Sequence, residues 1–379
     1  MGETTALAPS GAQDYWQSTV TKAVKLSSRL PSGTRGRRFD IVTNGKPFPI
    51  ESGRKNAYTS PSTSIRSPPP PQDGSSPNFP MKAIIVIAFA LSVAHVHLRG
   101  RVRHKLTRQL GDHSTLLAPI NSLLYLFSRL RNRPYLDTHD FPELAPLQAH
   151  WQEIRDEGLA LMREGKIQRS QQFNDVGFNS FFKTGWKRFY LKWYGDHHPS
   201  AMKLCPRTTQ LLQQIGSVKA AMFAELPPGA RLVRHRDPYA GSYRYHLGLA
   251  TPNDPGCHIN VDGESYHWRD GEAVIFDETY IHYAENTTEQ NRLILFCDIE
   301  RPLKYRWATS LNRWFSRNVM AAAAAPNSSE DATGGINRLF GRVYKVRLRG
   351  KALKKTNRMR YYAEKWLVVA ALVAVIAWI

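Results

Sequence analysis

The chain has 379 residues, enough for one large domain or two average ones with a substantial buried core. Its 52 Lys and Arg against 31 Asp and Glu leave a formal net charge of +21, which calls for a polyanionic partner, either nucleic acid or an anionic membrane surface. Three scattered cysteines, Cys205, Cys257 and Cys297, exclude a disulfide framework and a Cys-rich zinc site, fit a reducing compartment and read as small apolar core residues.

Residues 1–80 hold little that can build a core, and the Ser/Pro tract over 59–80 predicts disorder. Residues 81–108 read as an N-terminal membrane anchor: an apolar run over 83–96 ends in Arg99, Arg101, Arg103, Lys105 and Arg108, a positive C-terminal flank. With roughly 15 apolar residues against the ~20 that span a bilayer comfortably, spanning and interfacial placement both stay open. Carrying residues 1–80 across the membrane would take about ten Lys and Arg against the positive-inside rule, so native translation is expected to start at Met81, with a basic, Ser-rich targeting peptide as the alternative.

Residues 109–216 form a flanking region, first helical in its apolar spacing and then aromatic. Leu124 to Leu130 reads as a membrane-facing or a core helix, and 178–194 interleaves Phe, Trp and Tyr with Lys and Arg as a half-buried sheet or a lipid-facing lip would. Over 217–303 short strands take over, expected at 218–225, 231–236, 242–250, 257–261, 265–269, 273–277 and 293–299, with Asp262-Gly263 as a two-residue hairpin turn. Seven or eight such strands in about 85 residues predict a cupin-like jelly roll, so the fold class is mainly β with flanking helices. A linker is expected over 304–337. The last segment, 338–379, is basic and then apolar, a C-terminal anchor whose basic flank places everything between the two anchors on the cytoplasmic side. The adjoining apolar segments favour anionic lipid over nucleic acid as the partner of these cations.

The chemistry concentrates in Arg234-His235-Arg236-Asp237-Pro238, in His282 and in Arg292, ten residues beyond His282. Period-two alternation aims His235 and Asp237 of a His-x-Asp at one point, and a His from a facing strand completes two imidazoles and one carboxylate. Such a facial set leaves positions on Fe(II) for a chelating oxoacid and for O₂. Arg292 offers a fork for the far carboxylate of 2-oxoglutarate. His246 shares its facing with Arg244, on a strand expected beside the His-x-Asp, and both are candidates for the same co-substrate. His258 and His267 are expected two strands away, as surface or core residues.

Several blocks resemble the aspartyl/asparaginyl β-hydroxylase family: Arg244-Tyr245-His246-Leu247-Gly248-Leu249, the stretch 268–277, His282, and Arg292-Leu293-Ile294-Leu295. The stretch from Met81 to about Phe340 looks more closely like the bacterial lipid A 2-hydroxylases, through 178–190, 224–229, 235–241 and 277–282. The resemblance implies a double-stranded β-helix, Fe(II) and 2-oxoglutarate as cofactors, O₂ as co-substrate, and hydroxylation of C2 of a secondary fatty acyl chain of lipid A at the cytoplasmic face of the bacterial inner membrane. The animal protein hydroxylases of that family lack the carboxylate between the two histidines, and Asp237 departs from them. Two other readings stay open, a peptidyl aspartate/asparagine β-hydroxylase and a non-catalytic lipid-binding membrane module.

Overall fold

Strands form where the short apolar runs lie. Strands β1 (Tyr135–Leu136) and β2 (Lys187–Trp193) precede eight more: β3 (Val218–Leu226), β4 (Arg231–His235), β5 (Ser242–Ala250), β6 (Cys257–Val261), β7 (Glu264–His267), β8 (Ala273–Phe276), β9 (His282–Asn286) and β10 (Arg292–Glu300). They pair antiparallel in two sheets, ordered β1-β8-β5-β10-β3-β2 and β4-β9-β6-β7. From β3 to β10 the chain changes sheet at every connection except the β6–β7 hairpin, the winding of a jelly roll. The computed structural model describes residues 81–170, 175–195 and 197–378. The extension expected over 1–80, and with it the start expected at Met81, lies outside the described residues.

The two sheets bury their residues differently, for a physical reason. The small sheet keeps one face toward solvent, and β6 and β9 accordingly alternate between buried and half-buried positions. The large sheet is covered on both faces, so β5 and β10 are buried at every residue but their last. Its inner face meets the small sheet through Met222, Phe276, Ile294 and Phe296, while Phe223, Leu247, Leu293 and Leu295 pack outward under helices. Gly158, in one of those helices, packs tightly on the sheet: a Cβ there would lie 3.1 Å from both Leu293 and Phe223, so those side chains would have to give by a few tenths of an ångström. Asp262 and Gly263 take φ of 53° and 94°, the double left-handed turn that their pairing predicts. All three cysteines are free and buried, as core residues should be.

Of the helices, α1 (Met81–Leu98), α2 (Leu106–Leu110), α3 (His113–Leu116) and α4 (Ala118–Leu126) come first, α5 (Trp151–Arg163) and α6 (Pro206–Gln213) follow, and α7 (Arg306–Phe315), α8 (Gly335–Thr356) and α9 (Arg358–Trp378) close the chain. Among the described residues α1 is long and apolar enough to cross a membrane, with a mean hydropathy of 1.9 and 11% of it buried. Its foot is stitched to the jelly roll. The Val96 carbonyl accepts from Arg236 Nη1 at 2.6 Å, and Arg99 Nη2 meets the Asp277 carboxylate at 2.5 Å between the rings of Tyr125 and Tyr280. The backbone amides of Arg101 and Val102 donate to Asp262 at 2.9 and 2.8 Å.

One expectation changes, and two alternatives left open by the sequence are decided, for a core helix and for a sheet. Residues 304–337 are not a linker: α7 packs Ala308 and Phe315 inward, and Asn312 Nδ2 donates to the Gly241 carbonyl at 2.9 Å, so tertiary contacts order a stretch that carries few local signals. No membrane-facing helix runs from Leu124 to Leu130, because α4 ends at Leu126 with Leu124 and Tyr125 in the core. The aromatic run 178–194 contributes β2 at the edge of the large sheet. The apolar end expected as a second anchor continues α9, and its side chains from 371 onward lie outside the described residues.

Candidate metal centre and anion cradle

His235 ends β4 and His282 opens β9, and the two are direct partners across neighbouring strands of the small sheet. The third ligand position was expected from a facing strand; the register instead sets both rings side by side, 4.2 Å between centroids. Each ring is fixed by its own strand. His235 Nδ1 lies 2.7 Å from the Val233 carbonyl and His282 Nδ1 lies 3.0 Å from the Tyr280 carbonyl, so each Nδ1 carries the proton and each Nε2 is left as a lone-pair donor. Asp237 follows just past β4, its backbone amide donating to the Glu278 carbonyl at 2.9 Å and its Oδ1 standing 3.5 Å from His235 Nε2. One donor atom from each of His235, Asp237 and His282 lies within 4.8 Å of the other two.

Electrostatics set these groups in the protonation states a divalent metal requires. Burial, then His235, pushes the His282 imidazole down to about 3, and burial lowers His235 against the pull of Asp237. Burial alone would raise the Asp237 carboxyl, but Arg244, His282 and His235 outweigh it and hold Asp237 at about 2. At neutral pH the set is two neutral imidazoles and one carboxylate.

These residues open into a cavity between the sheets, walled by Phe178, Phe181, Trp186, Ile259, Phe276 and Phe296. Phe181 lies 4.7 Å from the His235 ring, centroid to centroid. Arg292 and His246 enter the same cavity. Arg292, the first residue of β10, is 2% exposed, and its Nε and Nη2 have no hydrogen-bond partner among the described residues. Its guanidinium stacks 4.4 Å from the Trp268 ring, and burial brings it down to about 10. His246 accepts at Nδ1 from Trp268 Nε1 at 3.3 Å, so its Nε2 carries a proton, and that atom too is buried without a partner. Two convergent, desolvated and unpaired donors form a cradle for an anion.

His246 does not lie beside the His-x-Asp strand, since β5 belongs to the large sheet and looks at the triad across the cavity. Arg244 reaches the cavity with its donors engaged: Nε to Asp298 at 2.8 Å, and Nη2 to Asp237 at 2.7 Å and to Glu278. Its place is behind Asp237. His258 and His267 sit on β6 and β7 outside the cavity lining, and β6 is one strand from His282 where two were expected. Trp268, Glu278 and Asp298 escaped the reading of single residues. The signal for Glu278 was present in the block Asp277-Glu278-Thr279-Tyr280-Ile281-His282, where two acids precede a metal-type histidine.

The family model for aspartyl/asparaginyl beta-hydroxylases matches residues 148–302, which include the triad, Arg244, His246 and Arg292. An ornithine lipid ester-linked acyl 2-hydroxylase from Rhizobium tropici is 36% identical over 193 residues, covering 50% of this chain and 68% of that protein. The chain belongs to the aspartyl/asparaginyl β-hydroxylase family. The family resemblance read from the sequence is thereby established, and membership makes the chain an enzyme of the hydroxylase class. Human aspartyl/asparaginyl beta-hydroxylase is 30% identical over 190 residues, which cover 47% of this chain but 24% of the human protein. Among solved structures, a Pseudomonas putida prolyl-4-hydroxylase aligns over 49% of this chain and 98% of its own, at 18% identity and a TM-score of 0.29.

Proposed function

We propose that this chain is an Fe(II)- and 2-oxoglutarate-dependent hydroxylase of a membrane-lipid acyl chain, with C2 of a secondary acyl chain of lipid A as its substrate and the cytoplasmic face of the bacterial inner membrane as its place. One observation carries the chemistry: a ligand-type triad and a buried, unpaired guanidinium share one apolar cavity. Bound there, iron and 2-oxoglutarate supply the O₂-dependent oxidation that drives hydroxylation of an unactivated C–H bond.

The chain's own residues bind, orient and exclude water. His235, Asp237 and His282 would hold the metal, and two imidazoles with one carboxylate suit a ferrous ion that activates O₂ with an oxoacid. Arg292 would take the far carboxylate of 2-oxoglutarate, with His246 Nε2–H as a second donor to the same molecule. Arg244 keeps Asp237 ionised and aimed. No side chain acts as acid or base at the substrate carbon, so selectivity comes from where the apolar wall from Phe178 to Trp186 holds the chain.

The lipid is favoured by α1, an exposed apolar helix with a basic flank, and by the acyl 2-hydroxylase relative. A peptidyl aspartate/asparagine hydroxylase is the second reading, supported by the human relative. Mass spectrometry of lipid A from cells with and without the gene separates the two. The lipid reading expects one acyl chain heavier by one oxygen atom, and His282→Ala is expected to abolish the shift. An unchanged lipid A profile in the presence of the active gene rules out lipid A as the substrate.

A further inference from the structure

A second pocket lies beside the strands of the triad but outside its cavity, with Arg103, His104, Lys105, Arg108, Arg234 and Ile281 in its wall. Four of these carry permanent positive charge, and none of its lining residues is acidic. None of the four forms an ion pair with a carboxylate among the described residues. The wall is built rather than incidental. Arg108 Nη2 donates to the Arg234 carbonyl at 2.7 Å, joining α2 to β4, and the Arg234 guanidinium is held 5.2 Å from the Tyr283 ring.

The floor supplies a second, independent observation. His104 is 8% exposed, and its Nε2 is buried without a hydrogen-bond partner among the described residues. Its neighbour Asp112 is already used by the backbone amide and hydroxyl of Ser114, at 2.9 and 2.6 Å. A desolvated polar atom left open under four unpaired cations is completed by an anion. Four cations and an imidazole exceed what a carboxylate would balance and suit a phosphate monoester.

The surroundings identify the source. Leu106 and Leu110, on the helix that carries Arg108, are 60% and 64% exposed. The exposed apolar run of α1 extends to Leu91, and the helix itself ends at Leu98, whose side chain is again exposed, five residues before Arg103. The pocket therefore sits where apolar surface gives way to positive charge, the level at which a bilayer presents its phosphates. Arg234 and Ile281 immediately precede His235 and His282, so a headgroup seated here is held against the same two strands that carry the triad histidines.

We propose that this pocket binds the phosphate monoester headgroup of a membrane lipid, which rests on the reading of the enzyme as a lipid acyl hydroxylase and adds how the lipid is seated. The test is equilibrium binding of the full chain in detergent micelles, without iron or 2-oxoglutarate, to a short-chain phosphatidic acid, the matching diacylglycerol and inorganic phosphate. The phosphatidic acid is expected to bind at least tenfold more tightly than either of the others. The Arg103→Gln/Lys105→Gln double substitution, at exposed positions, and His104→Phe, which fills the floor, are each expected to erase that preference, with an unchanged melting temperature reporting an intact fold. Should His104→Phe fail to fold, the double substitution alone decides. An undiminished preference in the folded variants, equal binding of phosphatidic acid and diacylglycerol by the unaltered chain, or inorganic phosphate binding as tightly as the lipid would each overturn the assignment. Because the measurement involves no turnover, a lipid A profile unaffected by the gene would remove the substrate while leaving this result standing.

Discussion

Arg244 and Arg292 lie on adjacent strands of the same sheet, both buried and both reaching one cavity, yet their surroundings are opposite. Arg244 is surrounded by Asp237, Glu278 and Asp298, with Tyr194 donating to Asp298 at 2.9 Å and Ser242 to Glu278 at 2.8 Å. One cation cannot neutralise three carboxylates out of water. Burial, with Asp298 and Asp237 close by, drives the Glu278 carboxyl well upward, so it keeps its proton while Asp237 stays ionised. Arg292 has an aromatic face and no acid hydrogen-bonded to it. The lesson is that a closed buried network is framework, whereas an open buried cation is a receptor.

Breaking the closed network should have the largest effect. Arg244→Met strands three acids in the interior, and a loss of about 3–5 kcal/mol of folding stability is expected, read by denaturant unfolding. Arg292→Leu sharpens the contrast, because it removes a charge that has no internal partner to leave behind. The substituted protein should melt no lower than the parent in the absence of ligand, while losing the stabilisation that 2-oxoglutarate gives the parent, about 2.7 kcal/mol at a hundred times its Kd. Thermal melts with and without 2-oxoglutarate check this, and equal ligand stabilisation of both proteins would contradict the role assigned to Arg292.

The smallest effect is in pH. His282 is depressed to about 3 when folded and titrates near its ordinary 6.5 when unfolded, so below 6.5 the unfolded chain takes the proton first. Its contribution to the stability of the metal-free protein is present above pH 6.5 and drains as pH falls toward 3, by at most about 1.4 kcal/mol per pH unit. Asp237, folded at about 2, adds a loss in the same direction below its ordinary carboxylate range. His282→Gln should flatten the upper part of the decline in urea melts taken across pH 4–7.

The strands of 217–303 were legible because they alternate or run apolar between turn residues, and the Asp262-Gly263 hairpin because few other pairs take two positive φ values. The spacing of His235, Asp237, His282 and Arg292 was legible as a set, though not the sheet that each would occupy. β9 was invisible as a strand, since it follows Asp277 to Ile281, a turn that looks acidic and irregular in isolation. The contrast between Arg244 and Arg292 could not be read at all. It depends on Asp298, 54 residues from Arg244 in the chain, becoming its partner across two strands. The order in 304–337 likewise comes from contacts with residues such as Gly241, which no local pattern announces.

The junction at the foot of α1 bears on how a water-soluble form of this enzyme could be prepared. Trimming the apolar helix and its basic flank would remove Arg99, and Asp277 would keep Thr279 as a donor but only one of its two cations, Arg301, 2.8 Å away, in a site closed to solvent. Asp277 opens the turn that delivers His282, so the damage would travel into the reaction centre as well as loosening the protein from its lipid surface. A shortened chain that stays folded is therefore expected to begin ahead of Val96, with the outward-facing leucines and isoleucines of α1 exchanged for polar residues instead of deleted.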